Sequence, residues 1–503
     1  MSVNGDYCPL CQTPIRPGQE VTTCEHCGVS YHTECWQVNH RCTSNKCSGG
    51  AQGSQMQCAN DSTPLTAKFK DKQNTLLSKA GAWYNHQLAE GTFNIRYLIL
   101  WFMLAIFPLL VIPNNIAIRF AMGVVPPEYV YLPRYLILGI VAIVALIILL
   151  KDRTQIKHPA FIPLFFFIIF ATISGFLAPI QITAWIGSPY RFTGLSTYYF
   201  CIVLFILAQT INKTERLLKA MVYTAAIVSC LGLLQYFGIN LVPHGHYIAS
   251  GMLAYGTMPH PDFFGTYTAF ILPAAIFLFL RSRKIYDLLF PVLISAGQVV
   301  SLSRGTWIAS LLGLVMITWY VRNKPELRKN LFFMLGVFVV ATLLLIPANH
   351  GMLLARIFTL KGNYGINLND TAGSYRMYIW RGAFHLFLLY WPFGIGPDHL
   401  IYAKLITPAH EIADKAHDIY LEMGLTMGIF TLLSYLTFLG IILRKWKTEI
   451  GFVLFTMIAV YLIQGVANID IVVIMPLFWI VLGLAISEQD MAERDQGDHL
   501  RSP

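Results

Sequence analysis

The sequence has 503 residues, of which 55% are hydrophobic and only 12% are charged. This composition excludes an ordinary soluble globular protein, in which about a quarter of the residues are charged, and indicates a membrane protein. The net charge is +10. The cations cluster in short gaps between apolar runs, so we interpret this charge as an orientation signal for membrane insertion and not as a sign of nucleic-acid binding.

Eight potential metal ligands stand close together near the start of the chain. They are Cys8, Cys11, Cys24, Cys27, His32, Cys35, Cys42 and Cys47. Their short spacings are typical of two tetrahedral zinc sites with interleaved ligands. We expect one zinc ion on Cys8, Cys11, His32 and Cys35, and the other on Cys24, Cys27, Cys42 and Cys47. A segment of this size buries little apolar surface, so zinc should supply its folding energy.

A disulfide framework is the alternative for these cysteines. Zinc is favoured because the loop charges described below assign this segment to the reducing cytoplasm. The stretch CEHCGVSYHTECW resembles RING/PHD-type fingers and most closely the prokaryotic RING finger family, over residues 8–47. Cys42 and Cys47 depart from that pattern, because four residues separate them instead of two. We therefore expect a zinc-finger domain at residues 1–47 that docks a cytoplasmic protein partner and is not a ubiquitin ligase.

The rest of the chain alternates apolar runs with polar gaps. Residues 48–95 have the composition of a linker and juxtamembrane segment. Because a helix needs roughly 20 residues to cross the hydrocarbon core, the remaining sequence predicts about twelve transmembrane helices. Their approximate ranges are 97–113, 135–150, 160–178, 196–211, 217–237, 263–280, 286–301, 307–321, 331–347, 419–442, 451–465 and 470–486. The predicted fold is an all-α polytopic membrane protein over residues 96–487, followed by a polar tail at 488–503.

The loop charges predict the orientation of these helices. Every second gap is rich in Lys and Arg, for example residues 151–157 and 322–329, and such gaps lie in the cytoplasm under the positive-inside rule. Both termini are then cytoplasmic, and the large loop 348–418 lies on the outer face. We expect a multi-pass protein of the cytoplasmic (inner) membrane.

Three arginines lie in gaps that this pattern assigns to the outer face. Arg191, Arg304 and Arg376 all stand at or near the ends of apolar runs. An arginine at a membrane boundary is costly when it faces lipid, so it usually faces a cavity, a headgroup or a partner. The planar guanidinium can bind phosphate through two hydrogen bonds. Three of them on one face suit a pyrophosphate pocket, and snorkelling to lipid headgroups is the alternative for Arg191 and Arg376.

Two histidines accompany these arginines. His417 stands two residues before a long apolar run, and imidazole can accept a proton from a sugar hydroxyl near neutral pH. Its neighbour Asp418 is expected to cap the helix that begins near residue 419. His260 belongs to an HPD triplet in which Pro261 suits a helix start. A local structural role is the alternative for both histidines.

Five stretches of the membrane part resemble motifs of the O-antigen ligase and polymerase family. They are YRFTGL, HPDFFGTYTAFILP, SRGTW, SYRMYIWRGAFHLFLLYWPFGIGP and AHDIYLEMGLTMGI, and they extend over roughly residues 180 to 440. The resemblance implies a metal-independent membrane glycosyltransferase of the GT-C type that takes part in surface polysaccharide biosynthesis. Such an enzyme transfers or polymerises a polyprenyl-pyrophosphate-linked glycan, and its partners are that lipid-linked donor, an outer-face glycan or lipid acceptor, and the membrane lipids.

The resemblance also implies roles for single residues. His417 and Arg304 match the catalytic positions, while Arg191, Arg376 and His260 match positions that bind the substrate. The sequence departs from the family at two places, because Asp262 and Asp418 stand where members usually have Asn. Each departure puts a carboxylate close to a histidine. Ligation of a finished polymer and polymerisation of repeat units both stay open.

Two other functions are compatible with parts of the sequence. A small-molecule transporter would also have about twelve helices, but internal repeats and charges deep within the helices would be expected. A non-catalytic, zinc-regulated membrane scaffold would need the finger but neither the arginines nor His417. The grouping of polar residues at one face favours the glycosyltransferase, with zinc confined to the finger and with no nucleic-acid partner.

Overall fold

The computed structural model describes residues 8, 15, 20–24, 28–39, 94–111, 128–154, 157–189, 191–242, 254–358, 375–408 and 410–499. The chain divides into two compact units, Met1–His86 and Gln87–Pro503. The division falls inside the predicted linker at 48–95, while the domain boundaries themselves stay a prediction.

The first unit contains a short β-hairpin followed by a helix. Strands β1 (Val21–Thr23) and β2 (Ser30–His32) are antiparallel, and helix α1 spans Thr33–Asn39. In the turn between the strands, the Gly28 N–H donates to the Cys24 carbonyl at 2.8 Å. Gly28 has a φ of 68°, a left-handed conformation that glycine adopts without steric cost. Cys24, a predicted metal ligand directly after β1, is therefore joined by a hydrogen bond to Gly28.

The second unit is predominantly helical. Its helices are α2 (Ile95–Trp101), α3 (Glu128–Lys151), α4 (Phe161–Leu177), α5 (Gln181–Ile186), α6 (Leu195–Ala208), α7 (Thr214–Tyr236), α8 (Pro261–Ser282), α9 (Leu289–Val300), α10 (Arg304–Val321), α11 (Pro325–Leu345), α12 (Met352–Phe358), α13 (Arg376–Tyr390), α14 (Ile419–Met427), α15 (Ile429–Leu443), α16 (Glu449–Gly465) and α17 (Met475–His499). A π-helical turn (Phe102–Ile106) and 3-10 turns at Phe107–Leu109, Ile285–Leu288, Asn349–Gly351 and Leu400–Ala403 complete the described helical structure. The prediction of an all-α membrane part is confirmed.

Among the residues that the structure describes, five helices are long and apolar enough to cross a membrane. They are Tyr131–Lys151 within α3, and the whole of α7, α8, α10 and α11. Shorter apolar segments of 10–17 residues occur at Ile95–Leu109, Phe161–Leu177, Leu195–Ala208, Ile285–Val300, Ile429–Leu443 and Glu449–Gly465. Each of them overlaps a predicted transmembrane range, but the total of twelve crossings stays a prediction.

The range 419–442, predicted as one transmembrane helix, is two helices in the structure. Helix α14 ends at Met427 and α15 begins at Ile429, and Gly428 between them has a φ of 85°. A Cβ atom at this position would collide with the backbone of Pro392. The prediction of a single helix was wrong because the break depends on a close backbone approach that only glycine permits.

Helix α8 is the most deeply buried of the long apolar helices and packs against α7, α9, α10 and α16. The residues predicted for the outer-face site stand at the first turns of α8, α10 and α13, just before α14, and in the loop between α5 and α6. Unpaired backbone N–H groups at a helix start carry a partial positive charge. The bundle therefore directs several positive helix ends toward the same group of side chains.

Candidate active site

Arg191 lies in a tightly held loop between α5 and α6. Gly187 has a φ of 100°, and a Cβ atom at either Gly187 or Gly194 would collide with the backbone of the other end of the loop. The Ser188 backbone N–H donates to Asp398 Oδ2 at 2.6 Å. These contacts fix the loop against the segment that follows α13.

The Arg191 guanidinium is paired with a carboxylate. Its Nε and Nη2 atoms lie 2.8 and 2.7 Å from Asp414 Oδ2, and Nη1 lies 3.5 Å from the Tyr131 hydroxyl. Burial raises the pKa of Asp414, but the charge and hydrogen bonds of Arg191 outweigh it and hold that pKa below its usual value. The pair therefore stays ionised at neutral pH and joins the Arg191 loop to the loop that carries His417.

Arg304 begins α10, and its guanidinium has no hydrogen-bond or ion-pair partner within the described ranges. It lies within electrostatic reach of Arg356, Arg376 and Asp262. Arg356, on α12, donates through Nε to the Leu302 carbonyl at 3.1 Å, and Leu302 has a strained φ of 57°. Three guanidinium groups are thus held near one another despite their mutual repulsion. An anionic ligand would relieve that repulsion.

His260 and Asp262 stand at the start of α8. His260 is the N-cap, and its Nδ1 accepts the Asp262 backbone N–H at 3.1 Å, with Pro261 in the first turn. The Asp262 carboxylate lies 3.6 Å from Arg376 Nη2 and 3.9 Å from His260 Nδ1. The structural role considered for His260 is therefore confirmed, while its role toward a substrate stays a prediction. Asp262 is a counter-ion of Arg376.

His417 has a φ of 54° and directly precedes the N-cap residue of α14. Asp418 is that N-cap, and its Oδ1 accepts the backbone N–H groups of Tyr420 and Leu421 at 2.8 and 3.0 Å. The predicted cap is confirmed. The Asp418 carboxylate is thus engaged by the helix, and the left-handed backbone of His417 is a strained conformation of the kind that clusters at functional sites.

The surroundings of His417 decide its protonation state. Partial burial lowers the pKa of His417 to about 4, Arg376 acts in the same direction, and Asp414 opposes them. The imidazole is therefore neutral at pH 7 and has a nitrogen lone pair that can accept a proton. Within the described residues, no hydrogen-bond partner occupies the ring. A general base needs this protonation state.

A buried ion triad supports the loop of His417. Lys415 Nζ lies 2.6 Å from Asp398 Oδ1 and 3.1 Å from Glu422 Oε1, and the Lys415 side chain is only 6% exposed. Glu422 also accepts the Ala416 backbone N–H at 2.7 Å. Burial lowers the pKa of Lys415, but the two carboxylates raise it above its usual value. The charged triad therefore ties the loop to α14 and, through Asp398, to the Arg191 loop.

The structure brings all five predicted outer-face residues into one electrostatic cluster. The positive charges of Arg191 and Arg376 act electrostatically on both His417 and His260. The charge of Arg376 also acts on Arg304. Sequence analysis missed Arg356 and Asp414. Both lie in the large predicted outer loop, but no local pattern distinguishes them from the other charged residues of that loop.

In the finger, three predicted zinc ligands lie together. The ligand atoms of Cys8, His32 and Cys35 are all within 4.8 Å of one another. Two cysteine sulfurs and one imidazole suit tetrahedral zinc. Cys24 is buried and does not belong to this group, and the interleaved assignment of two zinc sites stays a prediction. The other predicted ligands, Cys11, Cys27, Cys42 and Cys47, lie outside the described residues.

Two segments of the chain match models of known protein families. Residues 289–436 match the family model described as O-Antigen ligase, and residues 3–53 match Prokaryotic RING finger family 1. No curated protein matches the chain. The first match includes Arg304, Arg356, Arg376, Asp414 and His417. The two resemblances are thereby confirmed, and the chain is a helical membrane protein with an N-terminal segment that matches the prokaryotic RING finger model and a later segment that matches the O-antigen ligase model.

Proposed function

We propose that the protein transfers or polymerises a polyprenyl-pyrophosphate-linked glycan at the outer face of the bacterial inner membrane. The observation that carries this proposal is the meeting of several guanidinium groups with a neutral imidazole in one cluster. Guanidinium groups bind phosphates, and a neutral imidazole accepts a proton. These are the two activities that glycosyl transfer from a pyrophosphate requires, and the O-antigen ligase match supports this substrate class.

The donor pyrophosphate is assigned to Arg304, Arg356 and Arg376. Within the described residues, the N–H groups of the Arg304 guanidinium have no partner and can donate to a phosphate. The starts of α10 and α13 add partial positive charge. The contact of Arg376 with Asp262 is long, at 3.6 Å, so a phosphate oxygen can replace it. Arg191 already uses two of its nitrogens on Asp414. We assign it mainly to holding the His417 loop, with its positive charge as a secondary contribution to donor binding.

The proposed reaction is a direct displacement at the anomeric carbon. An acceptor hydroxyl oxygen forms a bond to that carbon, and the bond from the carbon to the pyrophosphate oxygen breaks. The hydroxyl proton moves to His417, and the polyprenyl pyrophosphate leaves with the bonding electron pair. Arg304 and Arg376 stabilise the negative charge that develops on the leaving group. Because these side chains supply the positive charge, we propose catalysis without a metal ion.

Chain orientation is testable by cysteine labelling. Glu411 lies in the proposed outer loop, Lys284 lies in a proposed cytoplasmic gap, and both are exposed. A membrane-impermeant thiol reagent should label Glu411→Cys in intact cells and Lys284→Cys only after permeabilisation. The reverse pattern would put the cluster in the cytoplasm and contradict transfer at the outer face.

Donor binding is tested by Arg304→Lys, which keeps the charge but removes the bidentate fork. In liposomes that contain the lipid-linked donor, donor affinity and transfer should both fall by about tenfold. Arg381→Lys is the matched control, because Arg381 is exposed on α13 and has no assigned role. Unchanged donor affinity in Arg304→Lys would contradict the proposed pyrophosphate pocket.

Glycan analysis of a deletion strain distinguishes the two forms of the reaction. If repeat units remain attached but long chains are lost, the protein is a polymerase. If chain length is preserved but attachment is lost, it is a ligase. An unchanged surface glycan would argue against both.

A further inference from the structure

A cavity of about 190 Å³ lies at the end of the bundle opposite the arginine cluster. It is bounded by α8, α10 and α16, with one residue from α11. Helix α8 runs from Asp262 in the cluster to Arg281 at the cavity, which puts about 30 Å of helix between them. The cavity is therefore separate from the candidate active site, and the proposed reaction does not use it.

The interior of the cavity is apolar. Its hydrocarbon lining comes from Pro273, Phe277, Leu280, Ile317, Val321, Leu327, Phe452 and Val453. Thr456 and Tyr320 also line it. The Thr456 hydroxyl already donates to the Phe452 carbonyl at 2.9 Å, and the Tyr320 hydroxyl already accepts from Lys324 Nζ at 3.0 Å. Such a lining suits a hydrocarbon chain and gives a small polar solute few partners. The volume is below the roughly 300 Å³ at which pockets enclose a drug-sized molecule, so it admits only part of a longer ligand.

The polar residues of the cavity carry an excess of positive charge. Arg281 and Arg283 line it and are exposed, and Glu449 is its one acidic lining residue. Glu449 already binds Lys324 at 3.0 Å. Arg281 contacts Glu215 at 2.8 Å, but that carboxylate also binds Lys219 at 2.8 Å. Glu449 and Glu215 thus each have a lysine partner, and Arg281 and Arg283 add positive charge at the mouth of the cavity.

We propose that this cavity binds an anionic phospholipid, with part of an acyl chain inside and the phosphate at Arg281 and Arg283. Basic pockets between transmembrane helices on the cytoplasmic side recognise anionic headgroups, and the loop charges assign this end of the bundle to the cytoplasm. A free phosphate ion would leave the apolar lining unused, and a zwitterionic lipid would gain less from the arginines. Because the ligand would touch α8, α10 and α16 at once, its binding should stabilise the bundle.

The test compares two lipids with identical acyl chains on the purified full-length protein in a zwitterionic detergent. Phosphatidylglycerol should raise the unfolding temperature more than phosphatidylcholine and should bind at least about tenfold more tightly by native mass spectrometry. The double variant Arg281→Gln/Arg283→Gln should lose about tenfold in phosphatidylglycerol affinity. Arg322→Gln/Lys329→Gln, which removes two exposed cations that do not line the cavity, should keep wild-type affinity.

A second variant tests the hydrocarbon part of the site. Leu327→Trp adds bulk to a half-buried lining position and should weaken the binding of both lipids without changing the mouth arginines. Equal binding of the two lipids, or an equal loss in the control double variant, would overturn the proposal. Stabilisation by inorganic phosphate alone would also overturn it, because that result requires no acyl-chain site. None of these outcomes depends on glycan transfer.

Discussion

The surroundings of His417 determine its protonation state as much as the ordinary pKa of a histidine does. An ordinary histidine has a pKa of about 6.5 and is partly protonated at neutral pH. Burial together with Arg376 lowers the pKa of His417 to about 4, because both disfavour the charged imidazolium. The two departures from the family pattern have different consequences here. Asp418 caps α14, whereas Asp262 partly neutralises Arg376.

The pH dependence of transfer tests this environment. The lowered pKa means that the site resists protonation of His417, so the neutral form persists as the pH falls and is lost only near pH 4. We expect kcat/KM to stay level from about pH 8 to about pH 5 and to decline below that. Donor binding measured over the same range controls for changes in the arginine pocket. A half-maximal rate near pH 6.5 would indicate an ordinary histidine and contradict the proposed environment.

Local roles were predictable from the sequence, but long-range pairings were not. The cap at Asp418 follows from a side-chain preference that acts over three residues, and it was predicted. The pair of Arg191 and Asp414 spans 223 positions in the chain, and no local pattern encodes it. Arg356 was missed for a related reason, since its contact with the Leu302 carbonyl forms only after α12 folds back toward α10.

At the scale of elements, buried ion pairs hold the loop before α14 in position. Lys415 and Asp398 are almost completely buried, and Glu422 is 13% exposed. Buried ions stabilise a fold only while they remain paired, because each loses its hydration on burial. The triad therefore makes the position of His417 depend on the segment that follows α13, through Asp398, and on α14, through Glu422.

Lys415→Met should expose this dependence by leaving two buried carboxylates without their cation. We expect a loss of about 3–5 kcal/mol in stability, seen as a lower unfolding temperature, together with reduced transfer. Lys404→Met, which changes an exposed lysine in the same loop, is the matched control and should behave like the wild type. If Lys415→Met unfolded at the wild-type temperature, the triad would not support this loop.

The boundary between α14 and α15 shows a helix break that hydropathy does not predict. The apolar run across α14 and α15 is continuous in composition, so it predicted one helix. The break at Gly428 requires the backbone near Pro392 to approach closely, and hydropathy contains no information about such contacts. Conversely, α8 and α10 were predicted well, because long apolar runs bounded by charges report directly on membrane crossing.

At the scale of the whole molecule, one chain carries a segment that matches a prokaryotic RING finger and a membrane segment that matches the O-antigen ligase model. The ligand spacing predicted two ions, and three ligands of the first lie together in the structure. We expect two zinc ions per purified chain. Cys8→Ser and Cys24→Ser should each remove one ion, because the assignment puts these residues in different sites.

Metal analysis of the full-length protein checks this expectation, with Cys201→Ser as the control because Cys201 is buried within α6. A single zinc ion in the wild type would mean that the ligand set with Cys42 and Cys47 does not form a site. Loss of zinc from Cys201→Ser would indicate that zinc retention depends on general folding.

The central claim is that His417 removes the acceptor proton while the arginines hold the donor. The most direct measurement compares transfer and donor binding for purified, folded His417→Ala in liposomes. His410→Ala is the matched control, because His410 is an exposed histidine of the same loop and also has a positive φ, of 60°. We predict that His417→Ala loses about 100-fold or more in transfer rate with donor binding retained, while His410→Ala is unchanged. Near-normal transfer by His417→Ala would contradict the account.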